Sequence, residues 1–183
     1  SFSFHLSSSF VQIGDKTFWY GDEQIDEQIL FAEVTPAGTF VNADVTGVGF
    51  VGLLRALEPV QVGDSFFMVV TDFDGLRVFE IGADGGLTLT ATRNDLFGGT
   101  SDDVQTTAPF TTARGEAVVL VNGINADEAV LLEINADGTL TEVDRIGGAD
   151  LAGGDNIRGA ASFAIGNDIY FAHSSQSDDS ISV

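Results

Sequence analysis

Cysteine is absent from this 183-residue chain. That excludes a disulfide framework, a thiol nucleophile and any cysteine-ligated metal. Basic residues are scarce too: seven lysines and arginines, with Lys16 the single lysine, stand against 28 aspartates and glutamates, a formal net charge of −21. Every phosphate contact would begin from like charge, so neither nucleic acid nor an anionic membrane is an expected partner. The acid excess suits cation binding, salty surroundings or plain solubility. The histidines, His5 and His173, are too few for a histidine-rich metal centre within the chain. No apolar run is long enough to cross a membrane as a helix, so membrane insertion is not expected. The stretch from Ser1 to Ser9 lacks the basic start and apolar centre of a signal peptide, and the first residue is not methionine. The expectation is a trimmed start or an excerpt of a longer chain. Gly-x-Ser-x-Gly, His-Glu-x-x-His and phosphate-loop patterns are all missing.

What is present is a repeat. Apolar residues make up 44% of the chain, too many for a disordered acidic tail. Four glycine-plus-polar turns recur, at Gly14-Asp15, Gly63-Asp64, Gly115-Glu116 and Gly166-Asn167, with glycines 49, 52 and 51 residues apart. Each precedes a short apolar or aromatic run of strand character. A second turn family appears at FAEVTPAGTF (Phe31 to Phe40), FEIGADGGLTL (Phe79 to Leu89) and LEINADGTLTEVD (Leu132 to Asp144), with Gly38, Gly86 and Gly138 spaced 48 and 52 apart. Glycine turns between apolar runs are hairpin signals.

Each unit therefore holds four strands, A to D; in the second they fall near Arg55 to Val62, Phe66 to Val70, Leu76 to Ile81 and Leu87 to Thr92. Helix signals are nearly missing, and Asp22 to Leu30 reads as turn and strand by its repeat position. Four short antiparallel strands cannot bury both faces alone, whereas blades stacked around an axis give each face a neighbour. The expectation is an all-β chain, a partial β-propeller of about 3.5 four-stranded blades of ~50 residues. The units span 6–54, 55–106, 107–157 and an incomplete 158–183. The alternating Ser-Phe-Ser-Phe-His-Leu start is strand-like and could supply the outer strand of the last blade, closing a four-bladed ring; the preferred expectation is a piece of a six- to eight-bladed ring.

The string from Val60 to Thr90, VQVGDSFFMVVTDFDGLRVFEIGADGGLTLT, together with Val130 to Leu140, DLFGG (Asp95 to Gly99) and DLAGG (Asp150 to Gly154), resembles repeats of acidic secreted bacterial propeller proteins. Such repeats often accompany hemolysin-type calcium-binding repeats. More distantly, the chain resembles seven-bladed lactonase-like propellers related to 6-phosphogluconolactonase. The resemblance implies a propeller and an extracellular, secreted or cell-surface location in a bacterium; its motifs place turns and cores, not chemistry. GGADLAGGDN (Gly147 to Asn156) is one degenerate copy of a calcium-binding nonapeptide, too little to build a parallel roll.

Two constellations carry candidate chemistry. The B–C turns collect Asp22, Glu23, Asp26 and Glu27, then Asp72 and Asp74, then Asp127 and Glu128, then Asp178 and Asp179; the D–A loops add Asp95, Asp102, Asp103, Asp144, Asp150 and Asp155. These loops emerge on one face of a propeller, giving an acidic rim. Hard cations take several carboxylate and carbonyl oxygens at once, so Asp72, Asp74, Asp178 and Asp179 are the candidate Ca2+ ligands. Solvated turn-formers are the competing explanation. The second constellation is at the channel mouth. Arg55 and Arg158 each lie eight residues before a repeat glycine, with Leu6 and Thr107 as the counted equivalents, and Glu58 and His5 lie near the same mouth. Arginines there could hold an anionic or carbonyl substrate, with Glu58 or His5 as base; ion pairing with aspartates is the alternative. Trp19 and the fifteen phenylalanines fall largely at strand phases and read as inter-blade core.

The leading expectation is a binding or structural module, calcium-stabilised, with a protein or carbohydrate partner at its acidic face. Further blades of the same propeller, or a second chain, complete the set of partners. The alternatives are a lactonase-like hydrolase with its site at the channel mouth, and a component of an extracellular appendage or virion.

Overall fold

The computed structural model describes residues 7–23, 28–47, 54–72, 75–94, 96–97, 104–112, 115–123, 128–147, 157–165, 168–175 and 180–182. Their regular structure is entirely β. The first sheet comprises β1 (Ser8–Ile13), β2 (Lys16–Glu23), β3 (Gln28–Val34) and β4 (Phe40–Gly47). The second holds β5 (Ala56–Val62), β6 (Ser65–Asp72), β7 (Gly75–Ile81) and β8 (Leu87–Arg93). The third holds β9 (Val104–Thr111), β10 (Ala117–Gly123), β11 (Glu128–Ile134) and β12 (Leu140–Gly147), and the fourth β13 (Ile157–Ile165), β14 (Asp168–Ser175) and β15 (Ser180–Ser182). Strands follow one another in sequence order within each sheet, all antiparallel. The first strands are neighbours in space, β5 packing against β1 and β9, and β9 against β13. Four sheets with adjacent inner strands are the blades of a β-propeller, about three and a half in this chain.

Local chemistry sets the hairpins. Gly14 and Gly63 take the first position of two-residue A–B turns at φ 61° and 58°, the mirror-turn geometry that matches strand twist. The third A–B connection is longer: Gly115 donates to the Thr112 carbonyl, and Thr111 pairs with Ala117 across it. Counting back from Gly115 therefore lands too far along the strand. The third sheet begins at Val104 and the fourth at Ile157, so the boundaries expected at 106/107 and 157/158 fall inside or beside first strands. The second turn family needs a similar correction. Gly85, not Gly86, matches Gly38 and Gly138, because each of the three donates to the carbonyl three residues back.

Blades join through alternate faces of the strands. Phe18 and Tyr20 of the first blade meet Leu57, Met68 and Val70 of the second. Phe67 and Val69 of the second meet Val119 and Val121 of the third. Leu120 and Ala129 of the third meet Ala160 and Phe171 of the fourth. Fully burying one such side chain is worth about 1.5–3 kcal/mol. A C–D bulge recurs at one register, opposite Phe31/Glu33, Val78/Phe79 and Leu131/Leu132. In the second blade the extra residue is Thr90, whose hydroxyl lies 2.9 Å from the Val78 carbonyl and 3.2 Å from that of Gly138 in the next blade. The C–D turns lean on the preceding blade. A Cβ on Gly85 would fall 2.5 Å from the Phe18 ring, and one on Gly138 2.4 Å from Thr90 Oγ1 and 2.8 Å from Phe67. Tyr20 donates to the Gly85 carbonyl at 2.8 Å, and burial, then the Asp84 charge, push its phenol far up.

Candidate functional site

Strands A begin, and strands B end, on the same rim of the disk. At that rim the last residues of each strand B turn polar. Asp22, Thr71, Asn122 and Ser174 occupy one register, paired with Ile29, Leu76, Ala129 and Ile181. Asp22, Thr71 and Asn122 are fully buried. Alternation along strand B aims these three at the following blade, since Tyr20, Val69 and Leu120 two residues earlier pack there. Each seam therefore carries polar groups where its apolar packing ends.

The three seams differ in chemistry. In the first, Asp22 Oδ1 accepts from the Ser7 amide at 3.1 Å, and Ser7 Oγ accepts from the Leu57 amide of the second blade at 3.0 Å. In the third, Asn122 is buried with no hydrogen-bond partner for either amide atom among the described residues. His173, buried and paired with Ala160, lies on the fourth blade's side of that seam.

The second seam combines a carboxylate with two hydroxyls. Glu58 sits in β5 opposite Val69 and shares its side of the strand with Val60, which packs against the third blade. Burial pushes its carboxyl above the ordinary 4.5. Thr71 faces the same seam from β6. Thr107 faces it from β9, paired with Val121, itself packed against the second blade. The hydroxyls of Thr71 and Thr107 are buried and have no hydrogen-bond partner among the described residues. Such hydroxyls cost about 1–3 kcal/mol each, and they can donate to, or accept from, a bound water or ligand oxygen.

The sequence-derived candidates distribute differently. Arg55 lies just before β5, its amide donating to the Thr71 carbonyl at 2.8 Å. The register equates Arg55 with Gln105, not Thr107, because Ala56 and Thr106 hold equivalent pairings with Thr71 and Asn122. The longer third hairpin caused that miscount. Arg158 lies at the β13 irregularity between Ile157 and Gly159. His5, Asp74, Asp178 and Asp179 lie outside the described residues.

Asp72 is not on a solvated rim. Its carboxylate is buried, paired with the guanidinium of Arg77 and accepting from the Gly75 amide at 2.9 Å. A cation at Asp72 would compete with Arg77. Asp22 is likewise buried, and Glu128 is bridged to Arg145 at 2.7 Å. These three carboxylates therefore do not belong to a free acidic rim. Among the described residues no group of three His, Asp or Glu side chains could hold a metal ion. Arg145 also bonds Glu142 at 3.0 Å and the Leu96 carbonyl, while Arg93 of the second blade reaches Glu142 of the third at 3.6 Å. The Arg145 hydrogen bond, more than any charge, lowers the Glu142 carboxyl below its ordinary value.

Sequence reasoning missed Thr71, Thr107 as a hydroxyl, Asn122 and Arg77. A signal for two of them was present: FFMVVTD and AVVLVNG each close an apolar run with a polar residue at the phase of Asp22.

No protein-family model and no curated protein matches the chain. Solved structures do. An exo-β-1,3-galactanase from Phanerochaete chrysosporium, solved with β-1,3-galactotriose, is 12% identical with a TM-score of 0.64, over 92% of this chain and 43% of that one. A periplasmic gluconolactonase from Pseudomonas aeruginosa is 17% identical with a TM-score of 0.55, over 89% of this chain and 41% of that one. A thermostable family-43 glycoside hydrolase is 12% identical with a TM-score of 0.56, over 97% of this chain and 67% of that one. At such identities the likeness is one of fold. The chain spans less than half the length of the galactanase and the gluconolactonase.

Proposed function

We propose that the chain is part of a lactonase-like hydrolase that opens a sugar lactone at the rim of the seam between its second and third blades. The observation that carries this reading is Glu58, a carboxyl on an inner strand whose burial raises its pKa. A raised carboxyl is a better proton acceptor at neutral pH than an ordinary one. Thr71 and Thr107 hold the attacking water. Glu58 takes one proton from it as the water oxygen bonds to the lactone carbonyl carbon. The tetrahedral oxyanion then collapses, the ring C–O bond breaks, and the leaving ring oxygen recovers the proton from Glu58. The product is a hydroxy acid, which releases its own proton to solvent. A gluconolactonase and sugar hydrolases among the structures of like fold support a sugar-derived ligand, and the periplasmic source of that gluconolactonase supports a place outside the cytoplasm.

The test is acid release from gluconolactone at constant pH. The expected result is turnover above the spontaneous rate, lost by roughly 10²–10⁴-fold in Glu58→Gln. Equal turnover in Glu58→Gln would remove Glu58 from the reaction.

The acid excess favours a second reading, a secreted or cell-surface binding module that takes calcium and a protein or carbohydrate partner at its acidic loop face. It expects millimolar-range calcium to raise the melting temperature by mass action and a chelator to reverse the rise. A melt indifferent to both rejects it.

A further inference from the structure

One register builds the rim end of all three seams, so its occupants can be compared. Each seam takes a strand B residue and its strand C partner from one blade, and a strand A residue and its strand B partner from the next. The first seam sets Asp22 and Ile29 against Leu57 and Val70. The second sets Thr71 and Leu76 against Thr107 and Val121. The third sets Asn122 and Ala129 against Ala160 and His173. Alanine thus stands twice in the third seam, where the other two carry Ile29, Leu57, Leu76 and Thr107. Less apolar area holds this end closed, since burial energy scales with the area removed from water. Its other two places are an amide and an imidazole. Asn122 is fully buried, and neither its Oδ1 nor its Nδ2 has a hydrogen-bond partner among the described residues. An amide in that setting bears the whole desolvation penalty of both groups. His173 is buried across the seam from it.

We propose that the rim of the third seam is a binding site for a neutral vicinal diol, entered when the third and fourth blades part at that end. Asn122 chooses the ligand class. Its carbonyl accepts and its amino group donates, side by side. Two hydroxyls on neighbouring carbons answer both at once, one donating to Oδ1 and the other accepting from Nδ2. A carboxylate or phosphate answers only the amino group, and it approaches a chain of net charge −21. A bare cation answers only the carbonyl. The imidazole of His173 can give or take a hydrogen bond, which suits a third hydroxyl. Ala129 and Ala160 leave the ligand the width that Ile29 and Leu57 fill in the first seam. Leu120 and Phe171, one alternation further from the rim, keep the blades packed while the end opens. The site is separate from Glu58, which faces the second seam.

The experiment follows the side-chain amide resonances of Asn122 by nitrogen–proton NMR on the whole chain. They are assigned by their loss in Asn122→Leu. The probes are glycerol and D-glucose, each up to about 0.1 M, the weak range of so small a ligand, with 1-propanol as the control that lacks a second hydroxyl. A saturable shift is expected with a diol and not with 1-propanol; glucose alone, or glycerol as well, tells a sugar from any small polyol. Asn122→Leu should weaken binding roughly tenfold or more, read from backbone shifts, while the melting temperature of the free protein rises. Should it fail to fold, Asn122→Thr supplies the residue of the second blade at this register. Ala160→Leu gives this seam the residue of the first and should abolish binding while the melting temperature holds or rises. No shift with either diol overturns the proposal, as does an equal shift with 1-propanol, or binding that survives both the Asn122 and the Ala160 variant. The titrations are repeated in Glu58→Gln, where diol binding should persist, so the lactone reading stands or falls separately.

Discussion

At the scale of single residues, burial decides which polar groups matter. Ionised Glu58 is disfavoured by its surroundings, so the folded state holds its proton to a higher pH than the unfolded chain does. Its penalty is absent well below 4.5, develops as pH rises through the raised folded value, and is constant above it. Glu58→Gln is therefore expected to raise the melting temperature near neutral pH and to leave it unchanged at low pH; a uniform shift at all pH values would contradict the burial argument. Asp72 and Arg77 behave as a pair. Asp72→Asn alone leaves a buried guanidinium facing a neutral amide and should cost about 3–5 kcal/mol, while Asp72→Asn with Arg77→Met should recover much of the loss in urea titration. An uncoupled, additive double variant would show that the pair is not a unit. The sequence made Asp72 look like a calcium ligand because Asp72-Phe73-Asp74-Gly75 reads as a turn with alternate acidic residues; the partner Arg77, five residues on, becomes visible only when β7 folds back on β6. Glu58 was expected in strand A from the repeat, and the structure places it in β5 opposite Val69.

At the scale of elements, the blades were largely legible, because glycine turns and apolar alternation are local. The strands of the second blade begin and end within two residues of where the turns predict. Local counting failed where a hairpin changed length: the Thr112–Glu116 connection shifts the third repeat and moved Thr107 onto the wrong equivalence. The C–D turns are read wrongly by the same kind of slip, Gly86 for Gly85. Their role is tertiary, since Gly138 sits at φ 78° with Thr90 and Phe67 where a side chain would go. Gly138→Ala is expected to destabilise by about 1–3 kcal/mol, from backbone strain and overpacking together. Gly14→Ala has open space around it and should show only the backbone part, so equal losses would discount the inter-blade contact. Thr107→Val should raise stability, because it removes a buried hydroxyl that has no partner among the described residues, and should lower lactone turnover if that hydroxyl holds water. A loss of stability in chemical denaturation would mean that the hydroxyl is satisfied in solution.

At the scale of the whole molecule, sheets stacked in phase bring one register of every blade to a common rim. That is why Asp22, Thr71 and Asn122, about fifty residues apart in sequence, share one role in the fold while differing in chemistry. The seam with a carboxylate and two hydroxyls is the one on which the lactone-opening proposal rests. The claim is tested most directly by the pH dependence of gluconolactone opening at low substrate, with the Glu58→Gln rate subtracted as the background. The account requires an acid limb whose midpoint lies above 4.5, the value of an unburied glutamate. A flat profile, or a limb at or below that value, would contradict it.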